Sequence, residues 1–394
     1  DWMVVIIKKI LFLFFLNILI STKIYGSIIL DYETEEFLKK INNLIISVND
    51  FGNDINFKII LDENINAFVN QNNDIFISSG LIKNAPSYVA LLGVLSHEIG
   101  HIEKYHIAKR KKSLKNLQSI QALSTLSIIA GSIVSENPAV IQGLAVNQFG
   151  IHNYYIGFSK DQEREADHYT IETLNKLNLP PDSLIKLLKI LQTEQLKHGS
   201  TEDYKKFSTH PVYKERYDII NERKNIEKSN INMELEKEFN FIKAKFIGYS
   251  SDDDLNFKNL LPNEFINYSK AILYARKGDL KKSLKLLNKF ISENKENYFL
   301  FETKADILMS HGYNKQAIKF YEKLLIKFPK NKYAKLVVFN NTNIDNFLIE
   351  EKNESFENNL DLLLEFPHSE ILYLNFYKLS VDIKKTNWAN FLNL

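Results

Sequence analysis

Residues 87–106 read SYVALLGVLSHEIGHIEKYH, and this stretch decides the fold. Its first half is apolar at nearly every position, so a helix built from it has no polar stripe to turn toward water and belongs inside a core. His97 and His101 stand four residues apart, on one helical face, where both imidazoles can reach a single ion. Glu98 between them falls beside the ion's open position, where a general base would meet a bound water. Gly93 and Gly100 each cost about 1 kcal/mol against alanine in a helix interior, which points to close packing or access on that face. An unpaired histidine in a buried helix is costly, so the motif predicts a metal held by imidazoles.

Composition narrows what else can join it. The chain has 394 residues and no cysteine. Disulfides, thiolate ligands and cysteine nucleophiles are excluded together, leaving histidines and carboxylates as metal donors. With 50 Lys+Arg against 48 Asp+Glu the net charge is +2, which gives nucleic acid no electrostatic reason to bind. Thirteen glycines and eight prolines are few for this length. Such scarcity of turn-formers argues for a mainly α protein with a small β-sheet, an α+β fold.

A catalytic zinc takes three protein ligands and keeps one position for water. The next acids in a helical pattern are in Gln162-Glu163-Arg164-Glu165-Ala166-Asp167, opening a helix over 159–177 with Ser159 as N-cap. Glu163 and Asp167 are four apart and share a face, whereas Glu165 points elsewhere. One of that pair can ligate while the other holds a ligand histidine from behind. Further helices are expected at 31–50 and 182–197, and a looser helical stretch at 113–150. Short strands are expected at 55–61 and 74–79, separated by an Asn-rich turn. The second of these, through Ile75, Phe76, Ile77 and Ser78, shows no hairpin partner on one side. It is therefore expected to take up substrate as an added strand.

The ends carry other signals. Lys8-Lys9, the apolar run 10–20 and the small pair Gly26-Ser27 have the layout of a secretory signal spanning 1–26, with translation starting at Met3. At 11 residues the run falls short of the ~20 that span a bilayer. The expectation is an exported, periplasmic protein with no membrane span once the signal is cut. Beyond a charged boundary at 221–237 there is a 34-residue period: Ala271, Gly278 and Ser283 recur as Ala305, Gly312 and Ala317. LLIKFP at 324–329 is echoed by LLLEFP at 362–367. Small residues at helix crossings with this period look like tetratricopeptide (TPR) repeats, with helices at 233–249 and 369–380 as caps. The expected division is a metallopeptidase domain over 27–225 and a TPR-like helical solenoid over 226–394.

The motif HEIGH followed by Glu163-Arg164-Glu165-Ala166-Asp167 resembles the zinc metallopeptidases related to the CAAX prenyl protease and the heat-shock protease HtpX. The likeness extends to Asn66-Ala67-Phe68, to Ile75 through Leu81, and to Thr209-His210-Pro211 with Arg216. It implies a gluzincin-type domain with one Zn2+ per chain, Glu163 as third ligand and Asp167 behind a ligand histidine. It also implies that His210 is a regulatory latch over the open position. A guanidinium at Arg216 would serve as a catalytic group steadying an oxyanion. Joined to the export signal and the repeats, the likeness implies a zinc endopeptidase acting on unfolded or misassembled envelope polypeptides. Chaperone activity in outer-membrane protein assembly follows, with the β-barrel assembly machinery as a partner of the repeats. The competing reading is a periplasmic repeat chaperone that keeps zinc as structure. Structural zinc sites are usually closed by four ligands and often use cysteine, so a chain without cysteine favours catalysis.

Overall fold

The computed structural model describes residues 27–49, 55–70, 72–106, 143–145, 158–197, 214–221 and 230–392. The expected signal at 1–26 and His210 lie outside these residues, as does most of the stretch 113–150.

The chain enters through β1 (Ser27–Ile29) and turns into α1 (Tyr32–Val48), whose N-cap Asp31 accepts from the Thr34 amide at 2.8 Å. Three strands follow: β2 (Asn56–Ile60), β3 (Ala67–Val69) and β4 (Asp74–Ser78). With β5 (Gly143–Ala145) they form one sheet in the order β3-β4-β2-β1-β5, in which β2 and β4 run parallel and the other pairs antiparallel. Three expectations are corrected here. The link between the two expected strands is not only a turn, because Ala67–Val69 makes a strand of its own. Residues 143–145, expected to be helical, pair with β1. And β4 is interior: Ile75 and Ile77 pair with β3 on one side and with β2 on the other. Its amides and carbonyls are committed to the sheet, so Ile75, Phe76, Ile77 and Ser78 have no edge to offer a substrate backbone.

Alternation along β4 sets the layers. Ile75 and Ile77 face the helices, whereas Phe76 stacks on Phe68 at 4.9 Å on the opposite face. After the short α2 (Ser79–Asn84) comes α3 (Tyr88–Glu103), capped by Ser87. Fourteen of its sixteen residues are buried, as a helix without a polar stripe requires. It is packed between the sheet, α1, α4 (Lys160–Lys176) and α5 (Asp182–Lys197). The α4 helix starts in a capping box in which Ser159 and Gln162 satisfy each other's backbone amides. A short α6 (Lys214–Asn221) lies against α4 and α5.

The expected boundary is not a loose linker on its far side. α7 (Met233–Ser250) shares its faces between two cores. Leu235, Phe239, Ile242 and Phe246 join the core around α3, while Phe241, Ala244 and Ile247 join the core of the helices that follow. Those are α8 (Phe257–Leu260), α9 (Asn263–Arg276), α10 (Leu280–Glu293), α11 (Phe299–Ser310) and α12 (Asn314–Lys327). The 34-residue period is visible in the backbone. Gly278 and Gly312 both sit at φ +82°, a left-handed cap conformation that favours glycine. The same bond closes each turn, Asp279 N–H to the Tyr274 carbonyl at 2.8 Å and Tyr313 N–H to the Leu308 carbonyl at 2.9 Å. Ala271, Ala305, Ser283 and Ala317 are fully buried where the helices cross. The chain continues through α13 (Lys332–Asn341), α14 (Ile349–Asn359), α15 (Asp361–Glu365), α16 (Glu370–Asp382) and α17 (Thr386–Leu392). Among the described residues no helix is long and apolar enough to cross a membrane.

Candidate metal centre

Two helices make the site. His97 and His101 project from the last turns of α3, and Glu163 and Asp167 from the first turns of α4, all four nearly inaccessible to water. What lets the helices meet so closely is Gly100. A Cβ there would stand 3.2 Å from both the Ala166 Cα and the Tyr169 Cβ, backbone and stem atoms that cannot rotate away. The glycine on the motif thus has a packing role. Gly93 has a milder one, since its added Cβ would meet only the Leu184 side chain.

The donor atoms form one triangle. His97 Nε2 and His101 Nε2 are 3.2 Å apart, His97 Nε2 is 3.2 Å from Glu163 Oε2, and His101 Nε2 is 3.6 Å from Glu163 Oε1. A tetrahedral ion with bonds of about 2.0–2.1 Å places its ligand atoms about 3.3–3.4 Å apart. The triangle therefore matches one face of such a tetrahedron. Two imidazole nitrogens and a carboxylate, all buried, are also the donor set that a borderline-soft divalent cation takes. The residues present fit the metal. Glu98 sits next to His97 on the helix and is equally buried, at 1% exposure.

Behind His97 is a second set of charges. Its Nδ1 lies 3.0 Å from Asp167 Oδ1 and 3.3 Å from Arg216 Nη2. With Nε2 turned to the ligand triangle, Nδ1 carries the ring proton and donates it to Asp167. Arg216, from α6, grips the same carboxylate with two bonds, Nε to Oδ2 and Nη2 to Oδ1, each 2.8 Å. Its remaining nitrogen, Nη1, is 3.5 Å from Glu163 Oε2. Burial would push the Asp167 carboxyl up, but Arg216 and His97 hold it down at about 2. Burial disfavours the Arg216 charge, yet Asp167, Glu163 and Glu98 raise its pKa instead. Burial and Arg216 pull the His97 pKa down, and its bonds to Asp167 and Glu163 outweigh them.

This corrects the expectation for Arg216. Nε and Nη2 are bonded to Asp167 and Nη1 lies nearest Glu163, so the guanidinium is engaged with the two α4 carboxylates rather than held ready for an oxyanion. Glu163 and Asp167 both project from α4, Glu163 toward the two Nε2 atoms and Asp167 toward His97 Nδ1. His210, expected as a latch, falls outside the described residues.

His106 and Glu165 were missed. His101 Nδ1 lies 2.9 Å from His106 Nδ1, and His106 Nε2 lies 2.9 Å from Glu165 Oε2. Phe158 stacks face-on against the His101 ring at 3.7 Å. A histidine five residues past His101 is off the ligand face of a continuous helix, so periodicity hid it. The helix ends at Glu103, and Tyr105 adopts φ +55°, a left-handed turn that folds His106 back beneath His101.

Residues 33–224, a segment that holds the whole site, match the model of Peptidase family M48. Similarity to individual relatives covers up to about three quarters of the chain. The beta-barrel assembly-enhancing protease of Yersinia pestis is 22% identical over 296 residues, covering 73% of this chain and 60% of its own. A Vibrio cholerae serotype O1 relative is 25% identical over 282 residues, covering 68% of this chain and 56% of its own. Metalloprotease YcaL of Escherichia coli K12 is 27% identical over 173 residues, covering 44% of this chain and 63% of its own. The chain thus spans less than two thirds of the length of these relatives.

Proposed function

We propose that the protein is a zinc-dependent endopeptidase of the cell envelope, with one Zn2+ held by His97, His101 and Glu163. The observation that carries the reading is the buried ligand triangle, with edges of 3.2, 3.2 and 3.6 Å. Bound there, zinc would polarise a scissile carbonyl and acidify a water toward a pKa of ~7. The rest falls to the chain. Glu98 takes the proton from the attacking water and returns it to the leaving amine. Asp167, neutralised by Arg216, fixes the His97 tautomer so that Nε2 always faces the ion. Burial of all these groups in the crossing of α3 and α4 strengthens each electrostatic contact by excluding water.

The beta-barrel assembly-enhancing protease among the relatives supports placing the substrate among misassembled envelope polypeptides, outer-membrane β-barrel proteins first. In this reading the helix pairs with the 34-residue period are TPR repeats that dock substrate or assembly machinery, the chain is exported to the periplasm, and His210 is the latch. The alternative of a repeat chaperone with structural zinc draws on the same repeats but gives no purpose to a buried carboxylate at Glu98, next to a ligand histidine. The test is cleavage of an unfolded outer-membrane β-barrel protein by the zinc-loaded chain. Wild type should cut it. Glu98→Gln should lose at least ~10³-fold in kcat, the cost of removing a general base, while retaining zinc and capturing the substrate. Equal cleavage by the two would reject a catalytic role for Glu98.

A further inference from the structure

We propose that His106 and Glu165 form a second supporting arm, which orients His101 for the metal as Asp167 and Arg216 orient His97. The inference rests on the metal-centre reading above and extends it to two residues outside the ligand set.

The proton assignments along the arm run one way. His101 turns Nε2 into the triangle with His97 and Glu163, so its ring proton is on Nδ1. That proton faces His106 Nδ1 at 2.9 Å, which must then be the acceptor. An imidazole accepting at Nδ1 carries its own proton on Nε2. That one is 2.9 Å from Glu165 Oε2, an acceptor when ionised. Each contact thus has one donor and one acceptor, and a carboxylate stands at the outer end. An ion on Nε2 makes the Nδ1 proton more acidic, which strengthens both bonds, and both bonds in turn make His101 a better donor to the ion.

Two features show that the fold is arranged for this contact. Tyr105 is held at φ +55° although its side chain is 70% exposed and gains little from packing. A left-handed tyrosine is strained, and what the turn achieves is the return of His106, fully buried, beneath His101. Phe158 covers the other side of the histidine pair, lying 3.7 Å from the His101 ring and 6.2 Å from the His106 ring. His101 can therefore neither tilt nor flip without breaking the arm. The two arms differ in kind. The His97 arm ends in a buried ion pair, whereas the His101 arm ends in Glu165, whose side chain is 51% exposed. A carboxylate at the surface needs no buried counter-charge.

The experiment is zinc affinity of the full-length chain by competition with a chromophoric chelator, with the visible spectrum of the cobalt form as a second readout. Four proteins are compared: wild type, His106→Asn, His106→Phe and Glu165→Ala. Asparagine places an acceptor oxygen where Nδ1 stands, and phenylalanine keeps the ring but no acceptor. The arm predicts that His106→Phe weakens zinc by 10–100-fold, the usual effect of removing a group behind a ligand, and alters the cobalt spectrum. His106→Asn should stay within a few-fold of wild type. Glu165→Ala, a surface change that leaves folding intact, should weaken zinc by roughly tenfold. Thermal unfolding of the metal-free proteins checks that each is folded. Wild-type zinc affinity in His106→Phe, or a loss in His106→Asn as large as in His106→Phe, would overturn the arm, the latter by showing that ring packing is what matters. Unchanged affinity in Glu165→Ala would remove the carboxylate from it. A wild-type chain that took up no zinc would instead overturn the metal centre itself.

Discussion

Asp167 and Arg216 show how one residue's role depends on what its neighbours leave free. From its type and place, a guanidinium near a peptidase centre is a natural oxyanion donor. In the structure its Nε and Nη2 are bound to Asp167 and its Nη1 lies nearest Glu163. Its charge offsets two buried carboxylates, and its fork fixes the one that fixes His97. Arg216→Lys separates the two roles, since an ammonium keeps the charge but not the two-bond geometry. A positioning role predicts that zinc affinity itself falls by roughly tenfold in Arg216→Lys. It also predicts that adding Asp167→Asn costs little more, because the residues act through one bond to His97. An oxyanion donor would instead lower kcat with zinc affinity unchanged. Chelator competition on the two single variants and the double variant distinguishes them.

Elements decide how much of this could be read from the chain. The α3 helix was legible because both its signals are local: an unbroken apolar run and histidines at i and i+4. The α4 helix was legible from Ser159 and the i, i+4 acids. What could not be read is what depends on other elements. Strand β4 looks like an edge when its neighbours are unknown. Only the crossover that sets β2 parallel to it, with Ala67–Val69 on its far side, makes it interior. Gly100 could be marked as costly, but its reason is the backbone of Ala166, a contact made across two helices. His106 needed the left-handed turn at Tyr105, for which a tyrosine gives no sequence signal, since glycine or asparagine is the usual residue there.

The whole molecule is tied together through the start of α1 and through α7. Lys245, on α7 and 4% exposed, reaches Asp31 at 2.5 Å and Glu33 at 2.7 Å. Tyr333 from α13 donates to Glu35, and Tyr32 packs on Phe299 and Phe328 at 6.3 and 6.4 Å. The repeat helices therefore grip the first turn of the peptidase segment. One residue of this seam carries a pH signature. Lys243 donates to the Ala85 carbonyl at 2.9 Å, and burial holds its ammonium down at about 8 despite Glu236. The unfolded lysine titrates near 10.4. Between about pH 8 and 10 the unfolded chain binds more protons here than the folded one, so this group's contribution to stability improves as pH rises. Above about pH 10 the buried tyrosines act oppositely, because Tyr32, Tyr88 and Tyr268 keep in the fold protons that they lose when unfolded. Urea unfolding of wild type and Lys243→Met should show the variant more stable at pH 7 by on the order of 1–3 kcal/mol. The gap should narrow from pH 8 to 10. A gap that does not change with pH would mean that Lys243 is not held down by burial.

Everything proposed for this site depends on one zinc held by His97, His101 and Glu163, with Asp167 behind rather than in contact. Equilibrium zinc binding to Glu163→Ala and Asp167→Ala tests it most directly, because the two carboxylates are one turn apart on the same helix face. Expected are one zinc per wild-type chain, loss of tight binding in Glu163→Ala, and a weaker but measurable site in Asp167→Ala, reduced by about 10–100-fold. Full zinc affinity in Glu163→Ala together with loss of the metal in Asp167→Ala would contradict this ligand set.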